Sequence, residues 1–222
     1  MVLHAPKLTS NISAVFIVLL FLSACANNDE RKDNDTSAPN FKEEDTLALV
    51  QTFRDTVQHR RSFRPDSTIN SKLKLNDNLS AKEFTPNKIE LIYGLRETPV
   101  AVFCNATKTE FMMAYQYEGN PKNSFSCFEI GYIDNEVLRG KCIASKENFF
   151  TTESGIKLGM SLESLIAIKG IDYTLSAQNE IVTYKLNPSS DFSRKHNMPG
   201  YFLEFNFKKG NIIKMKFGFD YP

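Results

Sequence analysis

From Tyr201 to Tyr221 the chain alternates apolar and polar residues, and this pattern restricts the available folds more than any other. Leu203, Phe205 and Phe207 fall on one side, and Ile213, Met215, Phe217, Phe219 and Tyr221 follow the same rhythm after a turn. Glu204, Asn206, Lys214, Lys216 and Asp220 stand between them. A period of two puts the two sets on opposite faces of a strand. The interruption Lys208-Lys209-Gly210-Asn211 is turn chemistry, so Tyr201–Phe207 and Ile212–Phe219 are expected to pair as a hairpin. Such alternation requires an antiparallel sheet with one face on a core and the other in water.

Further strands are predicted over Lys88–Leu95, Val100–Cys104, Phe111–Tyr117, Phe125–Ile133 and Leu138–Ala144, as a five-strand antiparallel meander, and over Glu180–Asn187. Gly119-Asn120-Pro121 marks one of the turns. The 18 Phe and 8 Tyr, with no Trp, suit sheets. Two segments carry helical spacing instead. Leu49, Val50, Phe53 and Val57 predict an amphipathic helix from Asp45 or Thr46 to about His59. Leu162, Leu165, Ile166 and Lys169 predict a second, with Ser161 as N-cap and Gly170 beyond its end. Residues 66–88 read as a long polar loop. The expected class is therefore α+β: an antiparallel sheet, or sheets, packed against one N-terminal and one central amphipathic helix.

The first residues carry an address rather than a fold. Lys7 precedes an apolar run, Ile12–Leu22, of 11 residues. A helix needs roughly 20 to cross a bilayer, so the run is read as the core of a signal peptide. It ends in Leu22-Ser23-Ala24-Cys25, a bacterial lipobox. Residues 1–24 are then the removed peptide, and Cys25 is the lipidated first residue of the mature chain. Several acyl chains at about 0.8 kcal/mol per buried methylene make a stable anchor. Ala26 stands where a retention signal would place Asp, which favours the outer membrane. Residues 25–45 hold seven acids, three bases and one large apolar residue, Phe41, and are expected to be a disordered tether. Residues 46–222 form the folded part, with a helix-plus-meander subregion (46–150) and a helix-plus-hairpin subregion (151–222). One unit is expected because the join at 146–154 carries Phe149 and Phe150 and makes a poor flexible linker; two modules are the alternative.

Loss of Lys7 with the signal peptide leaves 26 basic and 26 acidic residues. Nucleic acid and anionic membrane surfaces demand a basic excess and are not expected as main partners. Cys104, Cys127 and Cys142 remain after Cys25, enough for one disulfide and one spare thiol in an oxidising compartment. Three pairings are open and the sequence does not choose among them; Cys104–Cys142 is the working expectation. No catalytic constellation, metal-ligand spacing or cofactor motif is found. His59 and His196 are the histidines of the mature chain, and neither has a recognisable nucleophile beside it. Glu110, Glu118 and Glu129 are acids able to pair across strands, with nothing to set their separation. Met112-Met113 is read as core packing, and Asn105-Ala106-Thr107 matches a glycosylation acceptor that means little in such a chain.

The stretch Gly155-Ile156-Lys157-Leu158-Gly159-Met160-Ser161, then a short helix, a glycine and antiparallel strands, resembles the SmpA/OmlA family of outer-membrane assembly lipoproteins. The same layout occurs in β-lactamase-inhibitor-like domains. The likeness covers residues 151–222. Gly170-Ile171-Asp172 replaces the family's Gly-x-Pro. What the resemblance implies is a helix packed on a small antiparallel sheet, in a module that contacts other proteins, with no catalytic residue carried over. The expected function is that of a non-enzymatic outer-membrane lipoprotein. It would be membrane-bound through its N-terminal lipid and act by contact with an envelope protein or as a structural accessory. An envelope enzyme on glycan or lipid, or a small-ligand carrier, is the alternative.

Overall fold

The structure, a computed structural model, describes residues 63–134, 136–176 and 180–221. The segments expected to be a signal peptide (1–24) and a tether (25–45), with Leu22, Ser23, Ala24 and Cys25, and the helix expected over 46–59 all lie outside the described residues. The elements in chain order are β1 (Thr68–Ile69), β2 (Leu73–Lys74), α1 (Asn78–Phe84), β3 (Val100–Cys104), β4 (Glu110–Tyr115) and β5 (Cys127–Tyr132). They continue with α2 (Glu136–Lys141), β6 (Ile143–Ala144), α3 (Leu162–Lys169), β7 (Thr174–Ser176), β8 (Ile181–Leu186), α4 (Asp191–His196), β9 (Tyr201–Lys208) and β10 (Asn211–Phe219).

Eight strands form one sheet in the order β6-β3-β4-β5-β10-β9-β8-β7, while β1 and β2 pair separately. All neighbours in the sheet are antiparallel except β3 and β6, which run parallel. The class is α+β, with a mostly antiparallel, mixed sheet. The pairing of β5 with β10 joins strands from both halves of the chain into that sheet.

The final hairpin forms around Lys209 (φ 51) and Gly210 (φ 77), two left-handed residues in succession that give the turn the twist of its strands. Its alternation is broken once. A bulge between Ile212 and Lys214 buries Ile212 and leaves Ile213 36% exposed. The register is regular from Met215 to Phe219, so the inward set is Ile212, Met215, Phe217 and Phe219 rather than the set beginning at Ile213. Tyr221, also expected inside, is exposed. At Gly218 a Cβ would stand 2.3 Å from the Ser126 carbonyl oxygen, so only glycine lets β10 approach β5 there.

The core-facing side is a lattice of cross-strand pairs. One row runs Met112–Ile130–Met215–Phe205–Val182, and another runs Ala114–Phe128–Phe217–Leu203–Tyr184. All ten side chains are at 0% exposure. α3 adds Leu165 to this cluster, and the β1–β2 hairpin and α1 add Ile69, Leu73 and Phe84. Ser161 accepts the Ser164 amide at 3.3 Å as N-cap, and Gly170 closes α3 at φ 83.

Three further expectations are corrected. The five-strand meander is a three-strand one, β3-β4-β5, because Lys88–Leu95 contributes only an isolated bridge from Ile92 to Val100. Leu138–Ala144 is the helix α2 followed by the two-residue β6, since only Leu138 of α2 is buried and Glu136 and Arg139 pair across one helical turn. The polar stretch 66–88 contains β1, β2 and α1, the last capped by Asp77, whose side chain accepts the Leu79 and Ser80 amides.

Candidate functional site

The two edges of the sheet are treated differently. At one end, β6 is held by the Cys104–Cys142 disulfide, with Cα atoms 5.5 Å apart, and Asn87 Nδ2 reaches the Ala144 carbonyl at 3.4 Å. At the other end lies β7, whose three residues are all exposed. Leu175 stands directly opposite Val182, so it extends the row Met112–Ile130–Met215–Phe205–Val182 by one more strand. The five inner members are at 0% exposure, whereas Leu175 is 56% exposed. Ile168, on the last turn of the helix that covers this face, is 36% exposed. Tyr173 anchors the entry to β7, its ring 5.7 Å from that of Tyr184, and the Tyr184 hydroxyl ties to the Gly170 carbonyl at 2.8 Å. An edge strand that pairs with no further strand among the described residues, and that bears an exposed apolar side chain, is a template for an added strand.

The opposite face of the sheet changes character along its width. On β3 and β4 it is apolar: Val100, Val102, Phe111, Met113 and Tyr115 form a second buried cluster, which Leu138 joins. From β5 onward it is charged, in the cross-strand row Glu129–Lys216–Glu204–Thr183. Glu129 sits at the boundary and is 3% exposed. Its carboxylate accepts the Tyr115 hydroxyl, and Lys214 Nζ (2.9 Å) and Arg96 Nη2 (3.3 Å) approach it. Burial alone would push this acid upward. The Tyr115 hydrogen bond and the two cations outweigh that and hold it below the usual carboxylate range. Lys216 covers the Tyr115 ring at 4.8 Å.

A second ionic group lies on the core side. Lys169 Nζ and Asp66 Oδ2 are 2.8 Å apart with both side chains 1% exposed. The ammonium's hydrogen bonds go to the Arg64 carbonyl (2.7 Å) and Ser154 Oγ (2.8 Å), so Oδ2 is held by charge rather than by an aligned hydrogen bond. Asp66 Oδ1 accepts the Ser154 amide and hydroxyl, and Tyr201 OH donates to the Asp66 carbonyl at 2.8 Å. Burial lowers Lys169 from the ordinary lysine value, and Asp66 offsets only part of that. This group stitches the segment arriving at Phe63 to α3 and β9. Ser154 is therefore committed as a donor to Asp66, and the lysine beside it is ion-paired.

The residues singled out in the sequence are dispersed. Glu110 is on the core-facing side of β4, accepting the Phe150 amide at 2.9 Å, whereas Glu129 is on the other face of the sheet. They cannot converge on one glycosidic bond, and Glu118 follows β4 on the way to the next turn. His196 is wedged between the rings of Phe192 (4.8 Å) and Phe219 (5.0 Å), where burial and then Lys195 lower its pKa. Cys127 is fully buried as a free thiol, pushed up to about 12 chiefly by desolvation. Met112 and Met113 pack in the two different clusters. Asn105 is 1% exposed and organises its turn, accepting the Thr109 and Glu110 amides. The aromatic strands close on one another in the core lattice described above. Among the described residues no group of three or more His, Cys, Asp or Glu could hold a metal ion. No helix among them is long and apolar enough to cross a membrane. Sequence reading missed the Asp66–Lys169 pair because its members are 103 residues apart, and missed Leu175 because exposure at an edge has no sequence signature.

These features define an α+β protein built on a mixed eight-stranded sheet with one guarded and one open edge. The chain matches no protein-family model, no curated protein and no solved structure.

Proposed function

We propose that this protein is a lipid-anchored component of the bacterial outer membrane, attached through Cys25, and that its folded part acts by binding an extended segment of another envelope protein at β7. The lipobox Leu22-Ser23-Ala24-Cys25 supports the anchor. The observation that carries the contact is the core-facing row whose last member, Leu175, is 56% exposed on an open strand. A partner covering Leu175 gains on the order of 1–2 kcal/mol from that side chain, besides main-chain hydrogen bonds along the edge. In this reading the amphipathic helix expected over 46–59 packs, like α3, against the sheet.

Photo-crosslinking in cells tests this. A crosslinkable residue at Leu175 is expected to capture one reproducible envelope protein, and Leu175→Lys is expected to abolish its co-purification while leaving the melting temperature unchanged. The same crosslinker at Tyr93, 75% exposed and away from the edge, should not capture that protein. Equal capture from both positions, or none from Leu175, overturns the proposal.

A further inference from the structure

The Asp66–Lys169 pair has features that a purely structural ion pair does not need. Both side chains are 1% exposed and Nζ stands 2.8 Å from Oδ2, so the nitrogen is at most one carbon–oxygen bond length farther from Cγ. Oδ2 itself accepts no hydrogen bond, from this ammonium or from any other donor among the described residues. Oδ1 is occupied instead: the Ser154 hydroxyl donates to it at 2.5 Å and the Ser154 amide at 2.9 Å. That hydroxyl also accepts from Lys169 Nζ at 2.8 Å, which makes an unbroken proton path from the nitrogen through Ser154 Oγ to Oδ1. Both groups are held in place. The Tyr201 hydroxyl accepts the Asp66 amide at 3.0 Å and donates to the Asp66 carbonyl at 2.8 Å. Lys169 sits in the last turn of α3, its Nζ also donating to the Arg64 carbonyl, with the Phe63 ring 5.7 Å away. An amine and a carboxyl fixed in contact and shielded from water meet the requirements for condensation.

We propose that Lys169 and Asp66 condense to an intramolecular amide, a covalent link between the segment arriving at Phe63 and α3. The ammonium passes one proton through Ser154 Oγ to Oδ1, leaving a neutral amine and a neutral carboxyl group; burial disfavours the two charges and so promotes this exchange. The nitrogen lone pair attacks Cγ, and the Cγ=Oδ2 π pair moves onto Oδ2. A second N–H proton follows the same path to Oδ1, the Cγ–Oδ1 bond breaks, Oδ1 departs as water, and the Cγ=Oδ2 double bond re-forms. One N–C bond is made, one C–O bond is broken and one water is released. Nothing is oxidised or reduced, and no co-reactant is needed. Ser154 is thus a proton relay, not a nucleophile. Until the bond closes, charge alone holds the two segments. The link is independent of the lipid anchor and of the β7 contact.

The test is mass spectrometry of the full mature protein, incubated folded at neutral pH and then denatured and digested. A branched peptide is expected, joining the segment that holds Asp66 to the one that holds Lys169 and weighing one water less than the two together. Asp66→Ala is expected to abolish it, as is Lys169→Arg, which keeps the charge but lacks the nucleophilic amine. Ser154→Ala keeps both reacting groups and is expected to slow closure about a hundredfold, followed as the yield of branched peptide with time. The wild-type protein decides the matter by itself, whether or not a variant folds. Wild-type peptides that keep their full water after prolonged incubation of the folded protein, a branch at other residues, or an unchanged rate in Ser154→Ala overturns the proposal.

Discussion

Lys169 occupies a position that helical spacing assigns to the packed side of α3, yet it carries a charge to a site 2% exposed. The lysine's stem fills the seam, and its ammonium reaches Asp66, Ser154 and the Arg64 carbonyl. Removing one partner strands the other: Lys169→Met is expected to cost about 3–5 kcal/mol, and the double variant Asp66→Asn with Lys169→Met to recover much of that, as urea unfolding will show. Glu129 leads to a pH dependence. Its folded pKa lies below the ordinary 4.5, so the unfolded chain binds its proton more readily. Its contribution to stability is therefore complete above pH 4.5 and is lost as the pH falls through the lower folded value. Below pH 4.5 the wild type should lose stability more steeply than Glu129→Gln, measured by unfolding across that range. Both groups were illegible in the sequence. An isolated lysine or glutamate on a strand or helix looks like any solvated charge until the fold brings up its partners.

Among the elements, β6 depends most on a covalent bond. It has two residues and parallel pairing only to β3, and the Cys104–Cys142 disulfide pins the start of that segment. Closing a loop across a sequence separation of 38 stabilises the fold by about 4 kcal/mol on the chain-entropy estimate. Cys104→Ala with Cys142→Ala is expected to lower stability by roughly that amount, read from denaturant unfolding with and without reductant; the wild type plus reductant should approach the double variant. The elements legible in the sequence were β3, β4, β5, β8, β9 and β10, from their short apolar or alternating runs between turn residues, and α3, from its cap and spacing. Leu138–Ala144 was misread because seven residues with scattered apolar positions fit a strand and a helical turn equally well, and the burial of Leu138 alone decides between them. The one-residue bulge that exchanges Ile212 for Ile213 follows from the contacts of Ile212 with the 159–160 loop, where its amide donates to the Met160 carbonyl at 2.9 Å and its carbonyl accepts the Gly159 amide at 2.8 Å.

At the scale of the whole molecule, the proposed anchor and the sheet edge are separate devices. Cys25→Ser is expected to release the protein from the membrane fraction into the soluble fraction while leaving the domain's melting temperature unchanged. Fractionation and a thermal melt check both, and retention of the variant in the membrane would refute anchoring at Cys25. The sequence alone determined the α+β character, the capped α3 and the paired final strands, because these depend on residues close together in the chain and on periods of 2 and 3.6. It also supplied the run Leu22-Ser23-Ala24-Cys25 on which the proposed anchor rests, a pattern of four adjacent residues. Only the tertiary structure decided that strands from both halves share one sheet, that Glu110 and Glu129 face opposite sides of it, and that Asp66 meets Lys169. It alone showed that one core row ends on the exposed Leu175. Those outcomes depend on which distant segments become neighbours, and that is set by packing of the whole core rather than by any local pattern.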